Sequence, residues 1–112
     1  MKLEIKEQEL DTTSVALTLS GVVNIHTSTQ LRQRLKTFLD DQHHQVRVDL
    51  SGVNFIDSAG IATLVEGLQW SRGDGRRFVL SGLSENVRDI FELAKLDTVF
   101  EIEDGKAILD AD

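Results

Sequence analysis

The chain has 112 residues, of which 40% are hydrophobic and 28% charged, a composition typical of one folded globular domain. It contains no cysteine, which excludes disulfides and thiolate metal sites, and no apolar run approaches the length of a membrane span. We therefore predict no direct membrane insertion. The net charge of −7 is opposite to the basic surface of most nucleic-acid binders, so we predict no nucleic-acid partner. The chain also has no clear glycine-rich phosphate loop, and we predict no cofactor.

The first half of the chain predicts three strands and one helix. Residues 3–6 and 15–19 alternate apolar and polar side chains, which predicts two half-buried strands joined as an antiparallel hairpin. Thr27 and Gln30 match a capping box and predict the start of a helix. The apolar face of that helix consists of Leu31, Leu35, Phe38 and Leu39. A third strand is predicted over residues 46–50.

The second half predicts two more helices and two more strands. The second helix ends near Gly73, and its apolar stripe consists of Ile61, Leu64, Val65 and Leu68. Residues 78–80 are continuously apolar, which predicts a strand buried on both faces. Ser84 is a candidate cap for a third helix, with an apolar stripe of Val87, Ile90, Phe91 and Ala94. A last short strand is predicted over residues 98–102, and a final helical turn or two over 104–109.

The order of these elements predicts the fold class. Strands separated by helices imply parallel crossovers, whereas the opening hairpin adds an antiparallel edge. We therefore predict an α/β fold with a single domain over residues 1–112. Its core is a mixed, four- to five-stranded sheet with an N-terminal antiparallel hairpin, and the helices pack on that sheet.

The segment Asp57-Ser58-Ala59-Gly60, called the 57–60 motif below, carries the sharpest chemistry of the chain. It lies between the third strand and the second helix, so Ser58 is predicted at a helix N-terminus. Unpaired backbone N–H groups there favour negative charge, and a phosphate added to the hydroxyl would meet a receptive field. The small residues of the motif are typical of a place that another protein can approach closely.

Two other interpretations of Ser58 stay open. The first is structural, because serine beside an Asp57 cap is common at helix starts. The second is a nucleophile on a Gly-x-Ser-x-Gly elbow, for which Ile56 replaces the first glycine. That fold also places its histidine after the serine, whereas all three histidines here precede Ser58. His43 and His44 are adjacent without an apparent third ligand, so we predict no metal site.

The run 48–61, with the 57–60 motif at its centre, resembles the STAS domains of bacterial anti-sigma factor antagonists. The predicted hairpin, the Gly21 turn before the first helix and the helix after Ser58 fall where that family places them, so the resemblance covers nearly the whole chain. The family often has Gly-Glu-(Ile/Leu)-Asp in its first loop, where this chain has Gly21-Val22-Val23-Asn24. Asn24 is thus the isosteric amide of the usual acidic residue.

The resemblance implies a phosphorylated regulator and not an enzyme. In that family a partner kinase, which is itself the anti-sigma factor, phosphorylates the serine of the motif, and a metal-dependent serine/threonine phosphatase resets it. Carried over, Ser58 is the phosphoacceptor, and the unphosphorylated protein binds the kinase and frees the sigma factor. The partner-binding residues implied by the resemblance are Asn24, Thr27, Ser28, Asp57, Ala59, Gly60 and Ile61.

A different function within the same family also stays open. Some STAS domains are regulatory subunits of membrane lipid-transport ATPases or scaffolds of stress-sensing assemblies, in which the same surface is a structural contact without phosphorylation. Residues 1–6 alternate charged and apolar side chains and lack the continuous apolar segment of a signal peptide. Together with the lack of cysteine, this favours a cytoplasmic location for either function.

Overall fold

A computed structural model describes residues 2–40 and 43–103 of the chain. Its five strands are β1 Leu3–Glu9, β2 Ser14–Val23, β3 Gln45–Ile56, β4 Arg77–Ser81 and β5 Glu101–Glu103. They form one sheet in the order β1-β2-β3-β4-β5, in which β1 pairs antiparallel with β2 and the other neighbours are parallel. The predicted α/β class and mixed sheet are confirmed. The helical turn predicted over 104–109 lies outside the described residues.

Three α-helices connect the parallel strands: α1 Ser28–Asp40, α2 Ser58–Gly73 and α3 Glu85–Leu93. Helices α1 and α2 pack closely at Gly67, where an added Cβ would lie 3.1 Å from the Phe78 ring and 3.2 Å from a Leu35 methyl group. The predicted core phenylalanines Phe38, Phe78 and Phe91 are all buried. No helix in the described part of the chain combines the length and the apolar character that crossing a bilayer requires.

Strands β2 and β3 extend beyond their predicted ends, and these extensions lead directly to the 57–60 motif and the loop beside it. The sequence predicted strands over 15–19 and 46–50, but pairing continues through Val22 with Phe55 and Val23 with Ile56. The alternation of apolar and polar residues in β2 breaks off near Gly21, which is why the sequence predicted a turn there. In the structure the pairing of β2 with β3 continues past this point through two register shifts, between Thr18 and Ser20 and between Gly21 and Val22. Gly21 has φ +115°, a conformation that side-chain-bearing residues rarely adopt, so the strand can continue through it.

The C-terminal elements differ from the prediction in three details. Ala94 is the exposed C-cap of α3 and not part of its buried stripe. Residues 96–98 form a 3₁₀ turn, so the last strand begins only at Glu101 and not at residue 98. Ser84 occupies the predicted N-cap of α3, but its hydroxyl donates to the Val53 carbonyl at 2.9 Å instead of capping the helix.

Candidate functional site

Asp57 joins three segments at the edge of the sheet where β2 and β3 end. It is the N-cap of α2, with φ −107° and ψ −174°, and its Oδ1 accepts a hydrogen bond from the Gly60 amide at 3.0 Å. Its Oδ2 accepts another from the Ile25 amide at 3.1 Å, and its own amide donates to the Val23 carbonyl at 3.1 Å. One carboxylate therefore holds the loop after β2 against the start of α2.

Ser58 follows as the first residue of α2 and is exposed to solvent. The first turn of α2 contains no acidic residue, so the Asp57 carboxylate is the negative group nearest in sequence to this positive helix end. A buried Ser58 would be out of reach of any kinase. The exposed Ser58 lies at a helix end that favours an added anion, and its phosphorylation stays a prediction.

The loop between β2 and α1 is organised by Asn24 and Thr27, which are both buried. The Asn24 Oδ1 accepts hydrogen bonds from the His26 amide at 2.9 Å and the Thr27 amide at 3.1 Å. The Thr27 hydroxyl accepts from the Asn24 amide at 2.9 Å and donates to the Val22 carbonyl at 2.8 Å. An amide oxygen thus accepts two backbone amides here, as a carboxylate at this position could do.

The predicted capping box at Thr27 and Gln30 is wrong. The Thr27 side chain bonds back to Val22 and Asn24, and the Gln30 amide group donates to the Leu3 carbonyl at 2.9 Å. Helix α1 begins at Ser28, directly after Thr27, so the predicted start of the helix is confirmed although the capping-box bonds are not formed. The compact turn at Asn24 sets the position of the helix start, and Gln30 links the helix to β1 instead.

The predicted partner-binding residues fall into two groups by exposure. Asp57, Ala59 and Ile61 are partly exposed beside Ser58. The other four are buried, namely Asn24, Thr27, Ser28 and Gly60. An added Cβ at Gly60 would lie 2.7 Å from both the Val23 carbonyl oxygen and its Cγ1, so this glycine lets α2 approach β2 closely. Partner binding by these seven residues stays a prediction.

Two exposed apolar residues near Ser58 were not found from the sequence. Ile25, the residue whose amide bonds to Asp57, is 68% exposed, and Phe55, two residues before Asp57, is 50% exposed. Residues 53, 55 and 56 are all apolar, so no two-residue period indicates which of them points outward. Ile25 lies in a loop, where periodicity gives no signal at all.

The clearly shifted pKa values belong to groups in other parts of the fold. Arg77 Nε donates to Glu101 Oε1 at 2.8 Å, which lowers the pKa of Glu101 and raises that of Arg77. The Thr13 amide donates to the Asp11 carboxylate at 2.8 Å, which lowers the pKa of Asp11. Within residues 2–40 and 43–103, no three His, Asp or Glu side chains are grouped so that they could hold a metal ion.

Comparison with known families identifies the class of this fold and site. The family model described as "Mlab, STAS domain" matches residues 7–104, which include all of β2 to β5 and the 57–60 motif. The chain therefore belongs to the STAS domain family. The resemblance seen in the sequence is confirmed.

Named relatives and solved structures agree with this assignment. The anti-sigma-B factor antagonist of Listeria monocytogenes is 26% identical over 102 residues, covering 91% of this chain and 90% of the relative. SpoIIAA in its unphosphorylated form superposes with a TM-score of 0.73 at 16% identity over 96% of both chains. The phosphorylated form of the Bacillus SpoIIAA gives a TM-score of 0.72 at 16% identity, covering 96% of this chain and 98% of that one. These two structures share the fold of this chain.

Proposed function

We propose that this protein is an anti-sigma factor antagonist that acts as a phospho-switch at Ser58. The unmodified form binds an anti-sigma factor, and the phosphorylated form releases it. The observation that carries the proposal is the exposed position of Ser58 at the N-terminus of α2. Support comes from a relative named as an anti-sigma-B factor antagonist and from the shared fold with SpoIIAA, known in both phosphorylation states.

The cycle that we propose needs two partner enzymes. The anti-sigma factor is a serine kinase that transfers the terminal phosphoryl group of ATP to Ser58 Oγ, with loss of the hydroxyl proton and release of ADP. A metal-dependent serine/threonine phosphatase transfers that phosphoryl group to water and restores the hydroxyl. The chain itself catalyses neither step, and the cycle runs in the cytoplasm.

Phosphorylation would block binding chiefly through desolvation. The phosphate adds about −1.5 to −2 charges at neutral pH, and the α2 N-terminus tolerates them while the site faces water. A partner seated on Ser58 would have to bury that charge unpaired, which costs several kcal/mol. A loss of about 3 kcal/mol already weakens binding more than about a hundredfold. The fold itself need not change.

The seven predicted partner-binding residues have two roles in this proposal. Ala59 and Ile61, partly exposed next to Ser58, contact the partner directly. The other residues position this surface. The buried side chains of Asn24 and Thr27 shape the β2–α1 loop from inside, and Ser28 starts the helix that follows it. Gly60 lets α2 approach β2 closely. Asp57 connects that loop to α2 through its two accepted hydrogen bonds.

The first test compares Ser58→Ala and Ser58→Asp for binding to the anti-sigma factor kinase of the same genome, measured by titration calorimetry. We expect Ser58→Ala to bind like the wild type and Ser58→Asp to bind at least about tenfold more weakly, because a carboxylate has about half the charge of a phosphate. The matched control is Asn86→Asp, which adds one charge in the exposed first turn of α3. Equal binding by both Ser58 variants would contradict the switch.

The alternative function is that of a regulatory or scaffold subunit. The modification state and the binding partners of the protein in cells distinguish it from the phospho-switch. The switch predicts a single phosphoryl group on Ser58 in the intact mass of the native protein. The alternative predicts an unmodified chain that co-purifies stably with a transport ATPase or a scaffold. Ester hydrolysis that disappears in Ser58→Ala would instead assign the serine as a nucleophile.

A further inference from the structure

The surface around Ser58 is built from two segments that are almost free of charge. Residues 12–31 and 50–65 contain a single Asp, Glu, Lys or Arg, which is Asp57, although such residues make up 28% of the chain. These segments supply β2, the β2–α1 loop, the end of β3 and the first two turns of α2. Both oxygens of the Asp57 carboxylate already accept backbone amides. Apart from the Asp57 carboxylate, the two segments around Ser58, called the neutral region below, are therefore uncharged in a protein of net charge −7.

The same region exposes two large apolar side chains. Ile25 is 68% exposed and Phe55 is 50% exposed. Phe55 is paired with Val22 near the end of β2, and the Ile25 amide bonds to Asp57, so both residues are held by the elements that position Ser58. Other exposed large hydrophobic residues of the described chain lie on the hairpin and near the end of α3, namely Leu10, Leu93 and Val99.

We propose that Ile25 and Phe55 are the apolar anchors by which the anti-sigma factor recognises the unmodified chain, and that its matching surface is apolar and uncharged. This inference rests on the proposed function and names the chemistry of its partner. A basic partner surface would find its complement elsewhere on this acidic chain and not in its neutral region. A permanent self-association through this face is disfavoured, because it would cover the hydroxyl that must be modified.

The anchors explain why a phosphate on Ser58 would be so effective. Exposed apolar side chains gain binding free energy only when a partner removes water from them. Since Ile25 and Phe55 are tied to the elements that position Ser58, the partner that covers them also desolvates the hydroxyl. A hydroxyl tolerates this at modest cost, whereas a phosphate in a neutral, apolar contact has no counter-charge.

The test measures the affinity of full-length variants for the purified anti-sigma factor kinase of the same genome. Ile25→Ser and Phe55→Thr remove one anchor each, and we expect each to weaken the Kd at least about tenfold, mainly through faster dissociation. Leu93→Ser and Leu10→Thr are matched controls, because these residues are also exposed, at 86% and 48%. They should stay within about twofold of the wild type. Thermal unfolding confirms that each variant is folded.

Salt dependence gives a second, independent readout. A neutral apolar contact predicts a wild-type Kd that changes less than about threefold between about 50 and about 300 mM NaCl. A Kd that weakens by a factor of about ten or more over this range would show a charged interface and overturn the inference.

The outcomes separate this inference from the proposed function. If both anchor variants bind like the wild type while Ser58→Asp does not bind, Ile25 and Phe55 are not anchors, but the phospho-switch at Ser58 is still supported. If the wild-type chain itself does not bind the kinase, both proposals fail. If the wild type dimerises and Phe55→Thr abolishes the dimer, the patch belongs to a second copy and the inference is overturned.

Discussion

Asp57 and Ser58 are neighbours in the chain, yet their surroundings differ. The Asp57 carboxylate is bound by two backbone amides, from Gly60 and Ile25, whereas Ser58 is exposed. The capping role of Asp57 could be predicted because the spacing between a cap and its amide is local. The bond to Ile25 spans 32 residues, so it depends on the pairing of β2 with β3 and could not be predicted.

Replacement of Asp57 should measure how firmly the loop is held to α2. We expect Asp57→Ala to lower the free energy of unfolding by about 1–2 kcal/mol, because it removes a helix cap and an acceptor for the Ile25 amide. Asp57→Asn keeps one acceptor oxygen, so its loss in free energy of unfolding should be about half of the loss in Asp57→Ala. Urea unfolding with a common m-value measures both variants. An Asp57→Ala variant as stable as the wild type would show that the carboxylate does not hold this junction.

The approach of helix α2 to the sheet explains why the 57–60 motif consists of small residues. The sequence suggested that these residues expose the backbone to a partner, but Gly60 is buried against Val23 and Ile56. The glycine is needed inside the protein, where it lets the N-terminus of α2 lie against the ends of β2 and β3. The sequence showed that the residues of the motif are small, but it did not show which of them face the core. The motif lies where the two-residue period of β3 ends and the helical period of α2 begins, so neither period assigns its residues to a face.

Two glycines of the same helix offer a matched comparison. An added Cβ at Gly60 would lie 2.7 Å from the Val23 carbonyl oxygen, so we expect Gly60→Ala to destabilise the fold by about 1–3 kcal/mol. Gly73, the last residue of α2, has nothing within 4 Å of its added Cβ, so Gly73→Ala should be neutral or stabilising by up to about 1 kcal/mol. Thermal unfolding of both variants measures the difference. Equal stability would contradict the close packing at Gly60.

At the scale of the whole molecule, the order of strands and helices was predictable because most elements have a clear local periodicity and β4 is a short, continuously apolar run. The opening hairpin and the parallel crossovers follow from that order. The ends of β2 and β3 were not predictable, because pairing between distant segments extends both strands through positions that lack the period, such as Gly21 and Gly52. The candidate site lies in these extensions, which is why Ser58 was found from the sequence but Ile25 and Phe55 were not.

The distribution of charge is also a property of the whole molecule, because an acidic chain contains one neutral region. A net charge of −7 favours solubility and repels acidic neighbours, whereas segments 12–31 and 50–65 carry no charged side chain except Asp57. An added phosphate therefore changes the local charge more here than it would on an already charged surface. This contrast makes the region suitable for control by a single modification.

The most direct measurement of the central claim compares the unmodified chain with the chain phosphorylated fully on Ser58, each titrated into the anti-sigma factor kinase in a calorimeter. The account predicts that phosphorylation weakens the Kd by at least about a hundredfold, while far-UV circular dichroism of the free protein is unchanged. Equal affinity of the two forms would contradict it, as would a phosphorylated chain that binds more tightly.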